Sequence, residues 1–474
     1  MNAAATVYTR AVARLTAGVR GPHIVCAYHG NVDTIHQLTQ QSLDRIVAPD
    51  EPTVADAPTP GAAVPVTASS PPTPPSGRLA SKPDVVTALL WCLRTGNGGE
   101  WQLADGVIQT WVEGCFPGTD SLGGTSAIAA NHLAGLGYQP VLHAPSQGGR
   151  LMALLHPGVR FAESGPSGER GEESVLVSPE RHADLQETDP VHVIVQFNRG
   201  DRFRGHGVEI VCPHSNRVIF SNDAAASRLP IDPAFQRWIR ENSGAIAGGI
   251  WCGYNLLDPA VLSDRLAEIE SDVAAASAHG AAARPGAAVH HFESSDARDP
   301  EVRRVMLGSM LHNRPSVGLN EEEFATLVAM YGIAVGSRNG IASCSDSVSG
   351  TDPERVAKAL AQLAGRLNSG TLVLHTARWA MGASRLADPE QLAAALAGGC
   401  AVADLRAGTA EFATPERLHA VVGAVRPVAD VQPGAIRLRD YTVVWVPALD
   451  IGSPICTIGL GDSFVAGFVA ASVQ

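Results

Sequence analysis

No C-x-x-C pair occurs in this sequence, and no cysteine/histidine set has the spacing of a zinc site. The eight cysteines are scattered instead, at Cys26, Cys92, Cys115, Cys212, Cys252, Cys344, Cys400 and Cys456. They are expected to be reduced, mostly buried small hydrophobes in a cytoplasmic protein. No stretch approaches the ~20 apolar residues of a membrane span, so no role within a membrane is expected. Positive charge is short as well. Lys and Arg total 35 against 47 Asp and Glu, a formal net charge of −12, which argues against general binding to nucleic acid or an anionic membrane. An anionic small substrate is not excluded, because a few local arginines and backbone amides decide that. No internal repeat is evident. The N-terminal A-T-V-Y-T-R-A-V-A-R-L-T-A-G lacks the apolar core of a signal peptide and reads as a short amphipathic first helix.

What is present is a chain of 474 residues, 45% hydrophobic and 17% charged, long enough for a large core and more than one domain or lobe. Residues 48–77 are dominated by proline and small side chains. They bury too little apolar surface to offset the entropy of ordering, so a disordered or polyproline-like insertion is expected. A milder break falls at 277–286. Elsewhere apolar strands alternate with helical patterns. Residues 23–28, 245–251, 289–292, 316–319 and 372–374 read as strands; 125–136, 259–276 and 321–331 read as helices. Such alternation implies an α/β fold with a mostly parallel, doubly wound sheet and helices on both faces. Sites on such sheets lie at the carboxyl ends of strands. G-N-V-D (30–33), F-E (292–293), N-E-E-E (320–323) and H-T (375–376) all fall there. Residues 191–222 differ, reading as short β-strands with tight turns.

The end of the chain, T-I-G-L-G-D-S-F-V-A-G-F-V-A-A-S-V-Q, is a glycine-rich turn followed by an apolar helix. Gly459 and Gly461 let the backbone bring its N–H groups to an anion at a helix N-terminus, where the dipole favours negative charge. Asp462 stands at the mouth of that turn, placed to take a proton from a hydroxyl attacking a phosphoryl group. The plainer alternative is an aspartate that caps the last helix. Asn320 and Glu323, three apart at a helix start, can point to one place and suit Mg²⁺ held largely through water. The same residues make a good helix cap. Glu293 ends a buried strand and is costly there unless paired or near a cation. Asn31 and Asp33 can bind hydroxyls, and the Gly123–Gly124 pair lets a substrate approach the backbone.

Taken in order, G-N-V-D, L-G-G-T-S-A-I-A-A-N-H-L-A-G-L-G, V-H-H-F-E, S-V-G-L-N-E-E-E, L-V-L-H-T and T-I-G-L-G-D resemble the motifs of the ADP-dependent sugar kinases (glucokinases and phosphofructokinases), a branch of the ribokinase-like superfamily. The resemblance runs from about Pro22 to Phe468 and is weakest between Arg45 and Lys82. Three motif types carry it: G-x-G-D at 459–462, N-x-x-E at 320–323 and H-x-E at 291–293. It implies a ribokinase-like domain with a small β-rich lid whose closure excludes water. On that pattern 1–33 starts the large domain and 34–120 forms lid, with the insertion at 48–77. Residues 121–185 return to the large domain and lead back to the lid, 186–225 supply lid strands, and 226–474 complete the nucleotide-binding domain.

The resemblance also implies roles. Asp462 is the base, with the amides of the Gly459–Gly461 turn as the anion hole. Leu460 and His375 join that turn in contacting nucleotide phosphate, and Glu293, Asn320, Glu323 and Asp462 form the Mg²⁺ environment. His291 fixes the strand end. Arg217, in S-N-R-V-I-F, meets phosphate, with Arg202 a weaker candidate. Glu100 aligns with a lid glutamate associated with glucose acceptors, and His192 with a lid histidine facing the sugar. The expected reaction moves the β-phosphoryl of ADP to glucose, giving glucose 6-phosphate and AMP, in a monomer or weak dimer. Thr125 departs from the family, which usually has glutamine or asparagine after the glycine pair. That leaves room for fructose 6-phosphate, a pentose or its phosphate, or a nucleoside as acceptor, although Glu100 argues against the first. A catalytically silent sugar- or nucleotide-binding protein is the alternative from another class; the intact Asp462, Asn320, Glu323 and Glu293 argue against it.

Overall fold

The computed structural model describes residues 3–17, 23–47, 77–165, 174–205, 208–278, 288–295, 297, 300–335, 348 and 352–474. The expected insertion lies outside the described residues except for Gly77, as does 279–286 of the second break. The chain forms two compact units. The larger comprises Met1–Gly30, Gly123–Thr188 and Ala225–Gln474; the smaller comprises Asn31–Leu122 and Asp189–Ala224.

The larger unit is built on a nine-stranded sheet. Its spatial order is Gly434–Leu438, Tyr441–Pro447, Trp379–Ser384, Thr371–His375, Ser316–Leu319, Val289–Glu293, Ile246–Trp251, His23–Ala27 and Gln139–His143. The five pairings from Thr371–His375 to the Gln139–His143 edge are parallel, and the other three are antiparallel. This is the expected α/β, doubly wound and mostly parallel sheet. Its central strands are apolar runs with both faces covered, as parallel strands require. Leu372, Val373 and Leu374 are fully buried.

Alternation along the strands assigns each face a partner. Val317, Leu319, Leu372 and Leu374 pack with Phe324, Leu327, Val356 and Leu360 of helices Glu321–Met330 and Pro353–Leu367. On the opposite face Phe464 of the last helix, Leu460–Ser472, stacks on His375, and its Phe468 packs at a tilt against His291. That helix is buried without interruption from Ser463 to Ala471, which is why its sequence is apolar all round. The amphipathic first helix is also present, Ala3–Leu15. Among the described residues, no helix is long and apolar enough to cross a membrane.

The smaller unit is β-rich. Its five-stranded sheet has the order Gly99–Gln102, Asn216–Ser221, Val191–Phe197, Asn31–Gln37 and Thr119–Gly123, and a separate ribbon pairs Arg202–Gly205 with Val208–Val211. Asn31 and Asp33, expected just after the strand 23–28, open the strand Asn31–Gln37 of the smaller unit. The run N-V-D-T-I-H-Q alternates too weakly to announce a strand, and its pairing with Val191–Phe197 decides it.

Candidate functional site

Three adjacent strands of the larger unit present one face to the last helix. Strand register sets His291 beside Ser316, Glu293 beside Gly318, and Gly318 beside Val373. The side chains of His291, Glu293 and His375 therefore share a face and meet over Gly318, which has no side chain to obstruct them. Glu293 accepts a hydrogen bond on each oxygen: Oε2 from His291 Nε2 at 3.1 Å, and Oε1 from His375 Nε2 at 3.0 Å. Ser316 Oγ lies 2.8 Å from His291 Nδ1 and donates to it when the ring is neutral. Burial pushes the Glu293 carboxyl up, but the two histidine hydrogen bonds and charges outweigh that and leave it below its ordinary value. The Glu293 carboxylate is thus held ionised and braced from both sides. His375 braces too, because its Nε2 is engaged by Glu293 and its ring stacks on Phe464 at 4.9 Å.

The Gly459–Asp462 turn starts the last helix. Gly459 sits at the N-cap with φ 71°, a left-handed conformation suited to glycine, and offers no side-chain cap. The first N–H groups of such a helix have no partner within it and face an incoming anion. Asp462 lies in the first helical turn, partly buried. Its charge reaches Cys252. Burial pushes that thiol up to about 12; the Ser126 hydrogen bond opposes the rise, and the charges of Asp462 and Glu293 add to it. Asp462 and the Glu293 cluster therefore act on one neighbourhood.

Asn320 and Glu323 form a capping box. Asn320 Oδ1 accepts from the N–H groups of Glu322 (2.9 Å) and Glu323 (3.0 Å), and Glu323 Oε2 accepts from the Asn320 N–H at 2.9 Å. Both residues line a cavity of about 180 Å³ with Ser294, Arg303 and Thr326. Both acceptor positions of Asn320 Oδ1 are thus occupied, so direct coordination of a cation by Asn320 is not supported. Among the described residues, no group of three or more His, Cys, Asp or Glu side chains is arranged to hold a metal ion by itself. The carboxylates at the ends of these elements are Glu293, Glu323 and Asp462. Such a set fits a hard cation that keeps most of its water and not an all-protein cage.

In the smaller unit, register sets Asp33 beside His192, and His192 beside Ser221. His192 is buried and donates from Nε2 to Asp223 Oδ2 at 3.3 Å. Burial pushes its pKa down, but the Asp223 hydrogen bond and the charges of Asp223, Asp33 and Glu100 raise it to about 9. His192 is therefore an imidazolium at neutral pH, and Asp33, Glu100 and His192 come together as one group. Asn31 donates from Nδ2 to Asp33 Oδ1 at 2.6 Å, and its own Oδ1 is buried without a partner. Because the folded pKa lies above the unfolded 6.5, this charge stabilises the fold fully below pH 6.5 and the benefit is lost as pH rises through 9. Chemical unfolding across that window should show wild type losing up to about 3 kcal/mol relative to His192→Asn. A pH-independent difference between the two would refute the charge assignment.

The remaining expected residues are more dispersed. Arg217 lies partly exposed on Asn216–Ser221, beside Gln196 in register. Arg202 is exposed on the ribbon and pairs with Glu209 at 3.3 Å, as a surface ion pair. Gly123 ends a strand, and Gly124 is the N-cap of helix Thr125–Gly135 with φ 84°. A Cβ on Gly124 would stand 2.6 Å from the Gly30 Cα; it is this chain's own backbone that approaches so closely there. Thr125 is buried at the helix start. Sequence reasoning missed Gly318, Ser316 and Asp223, which meet their partners only through strand pairing. It also missed His132, whose one signal is a histidine inside a helix buried from Thr125 to Ala134.

The ADP-specific phosphofructokinase/glucokinase conserved region matches residues 22–470 of the chain. An ADP-specific phosphofructokinase of Pyrococcus abyssi is 25% identical over 478 residues, covering 94% of this chain and 96% of that protein. The ADP-dependent glucose/glucosamine kinase of the same organism is 24% identical over 472 residues, covering 95% of each. Among solved structures, an ADP-dependent kinase complex with fructose-6-phosphate and ADPbetaS superposes with TM-score 0.77 at 16% identity, covering 99% of this chain and 98% of that one.

Proposed function

The chain belongs to the ADP-specific phosphofructokinase/glucokinase family, and from that premise we propose that it transfers the β-phosphoryl group of ADP to a sugar hydroxyl and releases AMP. The observation that carries the reaction is the last helix's N-terminus, where the Gly459–Gly461 turn offers unpaired N–H groups beside Asp462. In this reading Leu460 and Gly461 N–H groups hold the oxygens of the transferred group, and Asp462 takes the proton of the attacking hydroxyl. The Glu293 cluster holds the face behind the turn rigid, and Arg217 meets phosphate. Mg²⁺ bound through water near Glu323 and Asp462 would neutralise phosphate charge when present.

For the acceptor we propose a neutral hexose, glucose first. Asp33, Glu100 and Asp223 surround the single positive charge of His192, and that net negative group favours hydroxyls over a phosphorylated sugar. The partnerless Asn31 Oδ1 can accept from one such hydroxyl. Fructose 6-phosphate is the second reading, favoured by relatives named ADP-specific phosphofructokinase. The test is AMP formation from ADP, against ATP and GTP controls, with glucose, fructose 6-phosphate, pentose phosphates and nucleosides. Turnover with glucose alone is the expected result. Turnover with fructose 6-phosphate alone would overturn the acceptor and keep the reaction; ADP binding without any turnover would overturn the reaction.

A further inference from the structure

A buried relay crosses from helix Thr125–Gly135 to the turn that starts the last helix. The Ala413 N–H donates to His132 Nδ1 at 3.0 Å. His132 Nε2 lies 2.9 Å from Ser463 Oγ, and Ser463 Oγ donates to the Gly459 carbonyl at 2.7 Å. The direction of every bond follows from its ends. An amide can only donate, so Nδ1 is an acceptor and the neutral ring's proton sits on Nε2. A carbonyl can only accept, so the serine proton points to Gly459 and its lone pair faces His132. His132 is wholly buried between Ser463 and the Phe412 ring, 4.9 Å away at 64°. Burial and then the charge of Arg406 lower its pKa to about 3, so it stays neutral and the bond order holds throughout the working range.

The Gly459 carbonyl and the Leu460 N–H belong to one planar peptide and point in opposite directions. Holding the carbonyl toward Ser463 turns the Leu460 N–H outward, ahead of the helix. Glycine at φ 71° has little steric preference of its own to keep that peptide from rotating, so its carbonyl is held by two bonds from residue 463, the backbone N–H at 2.9 Å and the hydroxyl at 2.7 Å. We infer that His132 is a positioning residue: acting through Ser463, it fixes the Gly459–Leu460 peptide so that the Leu460 N–H and the adjoining Asp462 face the transferred group. This rests on the phosphoryl-transfer reading for its consequence, but not for the geometry.

The test combines kinetics with amide hydrogen exchange of residues 457–464 in the full chain. Ser463→Ala removes the side-chain hydrogen bond to Gly459 and leaves the backbone Ser463 N–H bond to the same carbonyl, and His132→Phe removes the donor while keeping a ring. Each should lower kcat about tenfold with KM for the acceptor unchanged, and each should speed exchange in 457–464. Ser463→Thr, which retains the hydroxyl, should restore both. Unchanged exchange and unchanged kcat in Ser463→Ala would overturn the inference, as would loss in Ser463→Thr equal to that in Ser463→Ala. If His132→Phe fails to fold, the two serine variants decide. If wild type turns over no acceptor, the functional reading falls and exchange alone decides the positioning.

Discussion

Asp462→Asn is expected to reduce turnover by on the order of 10³-fold while leaving ADP affinity within a few fold. The amide has the size of the carboxylate and can still sit in the first turn of the last helix, so the turn and its outward N–H groups are retained. What is lost is the ability to accept a proton from the attacking hydroxyl. Phosphoryl transfer depends chiefly on positioning and charge, so loss of the base should appear in kcat and not in nucleotide binding. AMP formation gives the first quantity and calorimetric ADP titration the second. Near-normal turnover would remove Asp462 as the base and leave it a helix-capping residue.

Gly318→Ala should be as damaging, for a steric reason. A Cβ at that position would lie 1.9 Å from Glu293 Oε2 and 2.6 Å from His291 Nε2. Neither atom has room to yield, because each Glu293 oxygen is already bonded to a histidine. The added methyl must displace the carboxylate and leave a buried charge without its partners, at a cost of about 3–5 kcal/mol. Thermal unfolding should show a large loss of stability, with activity lost in the folded remainder. Glu293→Gln separates the two effects, since it keeps the shape and removes the charge. An alanine variant of wild-type stability and activity would mean that the three side chains do not meet over Gly318.

How much of this was readable in advance depended on range. The Gly459–Asp462 turn, the Asn320–Glu323 cap and the strand ends bearing Glu293 and His375 are local features. Glycine spacing, a cap box and an apolar run each state their own conformation within a few residues. The strand Asn31–Gln37 was not readable, because its alternation is weak and only pairing with Val191–Phe197 makes it a strand. The antiparallel strands at one side of the large sheet were likewise silent, since an apolar run does not declare the direction of its neighbour.

Contacts of long range were out of reach altogether. Ser463 is separated from His132 by 331 residues, and His375 from Glu293 by 82. Asp223 raises His192 across 31 residues through a hydrogen bond that no spacing rule suggests. The order of residues alone states the α/β alternation, the glycine turn with its aspartate and the strand ends that carry polar side chains, because those follow from backbone and side-chain preferences a few residues long. The tertiary structure alone decided which charges are held, which histidine is neutral and which is an imidazolium. Ionisation depends on burial and on partners that strand pairing and helix packing bring together, and neither is written in the order of the residues.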